Sequence, residues 1–230
     1  MPSVEPRGAG VSWKLILPER QAAVLGARRP RATLAIRSER GEETLSLPVA
    51  VAKALERSLA DRSEPPSSRA ELVYVLSEVE GNCARRRVES LLDRRDYSSQ
   101  EMERKLRDDG YPGRLCSELV ARYAETKLID DRRYADVFVR SKLSAGWGRR
   151  RIELELARRG IEVGELPGWP YDYLDPEDEV ERAFEVALRR SFRGGDPYAQ
   201  CVRFLMGRGF SGAVASSAAR RVLDEDDGGS

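Results

Sequence analysis

The chain has 230 residues, 40% hydrophobic and 34% charged, with 40 Lys and Arg against 39 Asp and Glu, a balance that suits small helical units better than one thick globule. No apolar run approaches the roughly 18 to 20 residues of a membrane span, and the N-terminus lacks the apolar stretch of a signal peptide, so a cytoplasmic protein with no membrane attachment is expected. There is no histidine, which excludes Ser-His-Asp and Cys-His nucleophiles and HExxH zinc sites, and phosphate-loop and dinucleotide glycine patterns are missing too.

Three cysteines without CxxC spacing, Cys83, Cys116 and Cys201, predict neither a disulfide framework nor a metal site. Catalysis by carboxylates alone would need acids that meet in space, and the 39 acids read better as solvated helix faces. We therefore expect no enzyme, no cofactor and no metal, and look for binding.

In chain order, "WKLIL" can be a strand, and "ATLAIRS" and "ETLSLPV" are alternating runs around "ERGE" that predict a small β-hairpin. "VAVAKALERSLA" follows as a helix, closing an N-terminal segment of residues 1–62. Residues 63–69, within the Pro/Ser-rich "DRSEPPSSR", predict an exposed linker, and "AELVYVLSEVE" a leading helix.

An internal repeat then begins. "SSQEMERKLRDDGY", Ser98 to Tyr111, has a capping box in Ser98 and Glu101, one apolar face in Met102 and Leu106, and a Gly110-Tyr111 ending that suits a Schellman motif. "GRRRIELELARRGI" repeats the frame with Ile152, Leu156 and Gly160-Ile161, and "PYAQCVRFLMGRGF" with Cys201, Leu205 and Gly209-Phe210. The glycines stand 50 and 49 residues apart, and each has apolar residues four and eight positions before it.

Helical runs flank these copies: "CARRRVESLLDRR", "RRYADVFVRSKL" and "EVERAFEVALRR" before them, "RLCSELVARYAETKLI" and "AVASSAARRVL" after the first and third. The unit is three helices, and the predicted class is mainly α: three tandem three-helix repeats in an elongated array behind the β-hairpin and helix. Boundaries are 70–130 for the leading helix and first repeat, 131–175 for the second, 176–224 for the third, and 225–230 for an acidic disordered tail. The second repeat departs from the pattern. Gly164, Pro167, Gly168 and Pro170 leave its third helix short or replaced by a loop holding Trp169, Tyr171 and Tyr173, and Asp175-Pro176 resembles the start of the next helix.

Net charge of +1 hides an asymmetry. Residues 81–161 carry 20 Lys and Arg against 14 acids, and residues 162–230 carry 8 against 14. Arg149, Arg150 and Arg151 fall in the first turn of a helix, where cations oppose the dipole, so a compensating anion is expected there. The competing reading is that Glu153 and Glu155 pair with these arginines locally. Tyr111, Tyr134 and Phe138 read as core, while Trp147, between two glycines, either staples the helix or makes an exposed contact.

"LIDDRRYADVFVRSKLSAGWGRRRIELELARRGI", Leu128 to Ile161, resembles the central signature of the RecX regulatory proteins, and "SSQEMERKLRDDGY" the matching piece of their first repeat. Arg149 stands where that family usually has proline. The resemblance implies a regulator, most simply an inhibitor, of the RecA recombinase. Such proteins bind the groove of RecA filaments on single-stranded DNA and limit filament extension, ATPase and strand exchange. Its partners would be the RecA nucleoprotein filament and the single-stranded DNA within it, met by a monomer.

On that reading Arg104, Arg107, Arg149, Arg150, Arg151, Arg158 and Arg159 face the filament or its DNA. Leu106, Gly110, Tyr111, Ile152, Leu156, Gly160, Ile161, Leu205, Gly209 and Phe210 build the repeats. Asp130 or Asp131 caps the next helix, and Tyr134 and Phe138 fill the junction between repeats. The alternative is a DNA-binding transcriptional regulator of helix-turn-helix type that reads DNA with "GRRRIELELARRG". A third reading is a scaffold that binds protein without nucleic acid, which weak salt dependence would reveal.

Overall fold

A computed structural model describes residues 10–18, 30–39, 41–175, 178–192 and 194–228, the side chains from 226 onward excepted. The described residues are mainly α-helical, and the chain divides into two compact units. One comprises residues up to Asp96 together with Met102–Leu128, the other Tyr97–Glu101 together with residues from Ile129 onward.

The first unit starts with an antiparallel sheet of β1 (Val11–Ile16), β2 (Arg31–Ser38) and β3 (Gly41–Pro48), in that order. Period-two alternation buries Ala32, Leu34 and Ile36 on one face of β2, with Trp13 opposite Ile36. The β1 strand thus adds a third member to the predicted hairpin. Helix α1 (Val49–Ala60) covers the sheet with Val51, Ala52 and Leu55, and packs on α2 (Arg69–Leu92).

Helix α2 corrects two expectations. It starts at Arg69, with Ser68 as N-cap, inside the segment expected to be linker. It also runs unbroken through Gly81, joining what the sequence suggested as a leading helix to the first helix of the first repeat. Burial of Leu72, Val75, Leu76 and Val79 before the glycine, and of Ala84, Val88 and Leu91 after it, outweighs the roughly 1 kcal/mol that one helical glycine costs. A Cβ at Gly81 would meet nothing within 4 Å. Gly81→Ala is therefore expected to stabilise the protein by about 1 kcal/mol, read as a higher urea midpoint. A lower midpoint would mean that the helix is interrupted there.

Helices α3 (Ser99–Asp109) and α4 (Gly113–Glu125) follow. Arg31 of β2 reaches the end of α3, donating to the carbonyls of Gly110 at 3.1 Å and Ser46 at 2.7 Å. Arg87 of α2 pairs with the buried Asp109 at 2.5 Å. These contacts tie α3 to both the sheet and the long helix.

In the second unit, α5 (Asp131–Ser144) and α6 (Arg149–Ala157) enclose Ala135, Val139, Ile152, Leu156 and Ile161. No third α-helix follows before residue 175: a 3-10 turn at Val163–Glu165 and a loop press Leu166, Trp169 and Tyr173 onto this core. Helices α7 (Asp178–Leu188), α8 (Pro197–Arg208) and α9 (Gly212–Gly228) form the next core around Phe184, Cys201, Leu205 and Phe210. Helix α9 carries the chain through residue 228, so the first four residues of the expected disordered tail are helical. Pro176 and the last two residues of that tail lie outside the described residues.

The repeated frame produces one local structure three times. Gly110, Gly160 and Gly209 have φ of 94°, 73° and 96°, and the amides of Tyr111, Ile161 and Phe210 donate to the carbonyls of Leu106, Leu156 and Leu205 at 3.1, 3.0 and 3.2 Å. The residue after each glycine folds back beside that leucine and is buried with it. Helix α5 ends in the same way, Trp147 N–H donating to Lys142 O past Gly146. Helix α4 does so with Lys127 in the left-handed position, at φ 60°.

Candidate partner-binding surface

The first turn of α6 is where the sequence concentrates charge. Gly148 is its N-cap and supplies no side-chain acceptor. Instead the amides of Gly148 and Arg150 donate to the carbonyls of Arg208 and Gly209 at 2.9 and 3.1 Å, so the carbonyl end of α8 meets the amide end of α6. Arg151 Nη1 adds a contact of 3.4 Å to Gly207 O. The negative pole of α8 thus lies at this turn and offsets part of the charge of Arg149, Arg150 and Arg151.

The seven predicted arginines fall into three groups. Arg159 is held inside the second unit by Glu155 at 2.6 Å, by Tyr134 Oη at 3.2 Å and over the Phe138 ring at 4.7 Å, with Glu101 at 3.7 Å. The Arg151 guanidinium carbon lies over the Trp147 ring, 3.9 Å from its centroid. Three others are exposed in pairs one helical turn long: Arg107 with Glu103, Arg149 with Glu153 and Arg158 with Glu155, at 2.5, 2.7 and 2.7 Å. Arg104 and Arg150 are exposed, and neither is ion-paired with another of the described residues. Glu155 is held below the usual carboxylate range, chiefly by its hydrogen bond from Arg159, with Arg158 adding to it against the effect of burial. Local pairing thus accounts for Glu153 with Arg149, as the competing reading had it, whereas Glu155 is taken by Arg158 and Arg159 at the other end of the helix and, among the described residues, by none of the first-turn arginines.

Residues expected at the junction do structural work. Asp130 caps α5, accepting from the amides of Arg132 and Arg133 at 3.0 and 3.1 Å, while Asp131 Oδ1 accepts from Ser99 N at 2.8 Å. Ser98 and Glu101 form the reciprocal capping box, and the Ser98 hydroxyl also donates to Arg159 O at 2.8 Å. Tyr134, Phe138 and Trp147 are half-buried against the α5/α6 core, and Lys142 Nζ lies 5.2 Å from both the Phe138 and the Trp147 centroids. Trp147 has cations over it and Phe138 at its edge, so it staples the helix start.

Several side chains in this surface had no local signal in the sequence. Arg182 of α7 donates to Trp147 O at 3.0 Å, and Arg208 of α8 donates to Ala145 O at 3.0 Å; their partners lie 35 and 63 residues away. Burial lowers the pKa of Arg182, against Glu179, Glu185 and Asp178, and its Nη1 is buried without a hydrogen-bond partner. Trp169 Nε1 donates to Glu153 at 3.1 Å and Tyr173 Oη to Asp136 at 2.8 Å, clamping the loop that replaces a helix. Among the described residues no group of three or more His, Cys, Asp or Glu side chains is placed to hold a metal ion, and no helix is long and apolar enough to cross a membrane.

Comparison with known proteins matches this architecture. Residues 84–122 fit the first three-helix domain of RecX, starting partway along α2, and residues 130–163 fit the second, ending in the 3-10 turn. The regulatory protein RecX of Pseudomonas entomophila is 38% identical over 134 residues, covering 55% of this chain and 83% of that protein. RecX of Halorhodospira halophila is 35% identical over 142 residues, 60% of this chain and 86% of its own. The crystal structure of RecX from Lactobacillus salivarius aligns with a TM-score of 0.51 at 21% identity, over 62% of this chain and 96% of that one. A second regulatory protein RecX structure covers 94% of this chain and 98% of its own at 17% identity, with a TM-score of 0.55. With its paired three-helix domains, its repeated Gly-aromatic or Gly-Ile helix ends and most of a relative's length matched, the chain belongs to the RecX family of regulatory proteins.

Proposed function

We propose that this protein inhibits the RecA recombinase by binding as a monomer in the groove of RecA filaments on single-stranded DNA, limiting filament extension, ATPase and strand exchange. It does so in the cytoplasm, as a binding protein rather than an enzyme. Family membership supports the partner; what supports the mode is that Arg104, Arg107, Arg149, Arg150 and Arg158 are exposed, with only one-turn ion pairs or none among the described residues. Such pairs are worth roughly 0.5 kcal/mol, so a phosphate or carboxylate of the filament can take over these guanidinium groups at little cost. Arg151 and Arg159 act as positioning residues, since their guanidinium groups already have partners within the unit.

Reading of duplex DNA by α6 is the weaker alternative. A recognition helix contacts bases with its N-terminal residues, and that end of α6 abuts α8.

The test is the single-stranded-DNA-dependent ATPase of RecA, titrated with this protein at two salt concentrations beside its binding to the same DNA alone. Inhibition at fewer than one molecule per RecA, with weak binding to free DNA, is expected. An unchanged ATPase together with tight duplex binding would replace this function by transcriptional regulation.

A further inference from the structure

Leu154 stands at the middle of the outward face of α6. At about 100° per residue, Ile152 and Leu156 set the inward direction and Leu154 is diametrically opposed to it, 52% exposed. A lone exposed leucine is ordinary, but this one has a specific setting. Arg150 lies one turn before it and Arg158 one turn after, both exposed, with the exposed Ala157 beside them. The acids of the helix lie on the flanks of this stripe and are already engaged, Glu155 in part by Arg158 of the stripe itself. Glu153 is held by Arg149 and Trp169 on one flank, and Glu155 by Arg159 as well as Arg158 on the other. What solvent meets is an apolar side chain between two exposed guanidinium groups, that of Arg158 held only by an i,i+3 pair that a stronger carboxylate contact can replace.

We propose that the Arg150–Leu154–Arg158 stripe docks an acidic protein segment that sets one apolar side chain against Leu154 and carboxylates against the two arginines. Charge complementarity fixes the sign of the occupant, and the central leucine fixes its class. A nucleic-acid backbone would use the arginines but would leave Leu154 against phosphate, with no apolar surface to bury. A protein segment satisfies all three positions at the spacing of two helical turns. This rests on the function proposed above only for the owner of the segment, RecA.

The experiment has two arms. In the first, a photoreactive benzoylphenylalanine at position 154 is irradiated with RecA filaments on single-stranded DNA, and the affinity of Leu154→Asp for filaments and for the same DNA alone is measured. An adduct with an Asp/Glu-rich segment of RecA is expected, as is a loss of about tenfold or more in filament affinity, the effect of a central anchor residue, with DNA binding unchanged. Leu188→Asp, an equally exposed leucine of α7, should bind filaments as the parent does. An adduct with DNA or with a second copy of this chain, or full filament affinity in Leu154→Asp, would overturn the proposal.

The second arm needs no RecA. A synthetic helical peptide with Glu, Leu and Glu at successive four-residue spacing is titrated into the isotope-labelled protein. Amide shifts at Arg150, Leu154 and Arg158 that vanish in Leu154→Asp support the surface even if the parent never binds filaments, an outcome that would sink the RecA reading alone. No shifts at millimolar peptide, or shifts elsewhere, would overturn the surface whatever RecA does.

Discussion

Gly148→Ala is expected to destabilise the second unit by about 3 kcal/mol, although nothing in the local backbone forbids alanine there. The φ and ψ of Gly148, −81° and 161°, are open to any residue, so the loss comes from space alone. A Cβ at this position would lie 2.3 Å from Gly209 C and from Phe210 N, both backbone atoms that cannot rotate away. Relieving the overlap moves the start of α6 from the end of α8 and stretches the two hydrogen bonds that join them, Gly148 N to Arg208 O and Arg150 N to Gly209 O. Overpacking costs roughly 1 to 3 kcal/mol and each hydrogen bond about 1 kcal/mol more. Arg149, Arg150 and Arg151 would at the same time lose the negative pole of α8. Thermal and urea denaturation of the full chain measure the effect, with Gly212→Ala as control, since a Cβ at Gly212 meets nothing within 4 Å. Equal midpoints for the two variants would mean that α6 and α8 do not meet end to end.

That contact separates what the sequence discloses from what it hides. The helix ends at Gly110, Gly160 and Gly209 are legible because each is built from residues no more than five apart, and glycine is the natural occupant of a left-handed position. The i,i+4 pair of Arg149 with Glu153 is legible for the same reason. The counter-charge to the α6 arginines is not, because it consists of main-chain carbonyls 59 or 60 positions away, and every residue type carries a carbonyl. Gly81 misleads in the opposite sense. It falls between two runs that read as separate helices, and only the tertiary burial on both sides of it keeps α2 whole. Leu154 belongs to a further class: its position on the helix is plain from the sequence, but its meaning depends on where Trp169 and Arg159 draw the neighbouring acids.

The three repeat glycines should respond unequally to alanine, despite sharing one backbone conformation. Each substitution carries a left-handed cost of about 1 to 2 kcal/mol. Beyond that the repeats diverge. At Gly110 the new Cβ meets the Arg31 guanidinium, which can swing out at the expense of its hydrogen bonds to Gly110 O and Ser46 O. At Gly160 it lies 2.7 Å from Gln100 Cβ, which no rotamer change can move, so the exposed first turn of α3 must give slightly. At Gly209 it lies 2.3 Å from Arg151 Cβ and 2.5 Å from Arg151 N, the backbone of α6 itself, so both helices must shift. Gly209→Ala is thus expected to lose about 4 kcal/mol, Gly160→Ala about 3 kcal/mol and Gly110→Ala about 2 kcal/mol, measured by urea denaturation under identical conditions. Equal losses in all three would show that the α6–α8 contact yields without cost. The predicted order would show instead that the third repeat's glycine serves two ends at once, closing α8 and seating the basic helix that presents Arg150, Leu154 and Arg158.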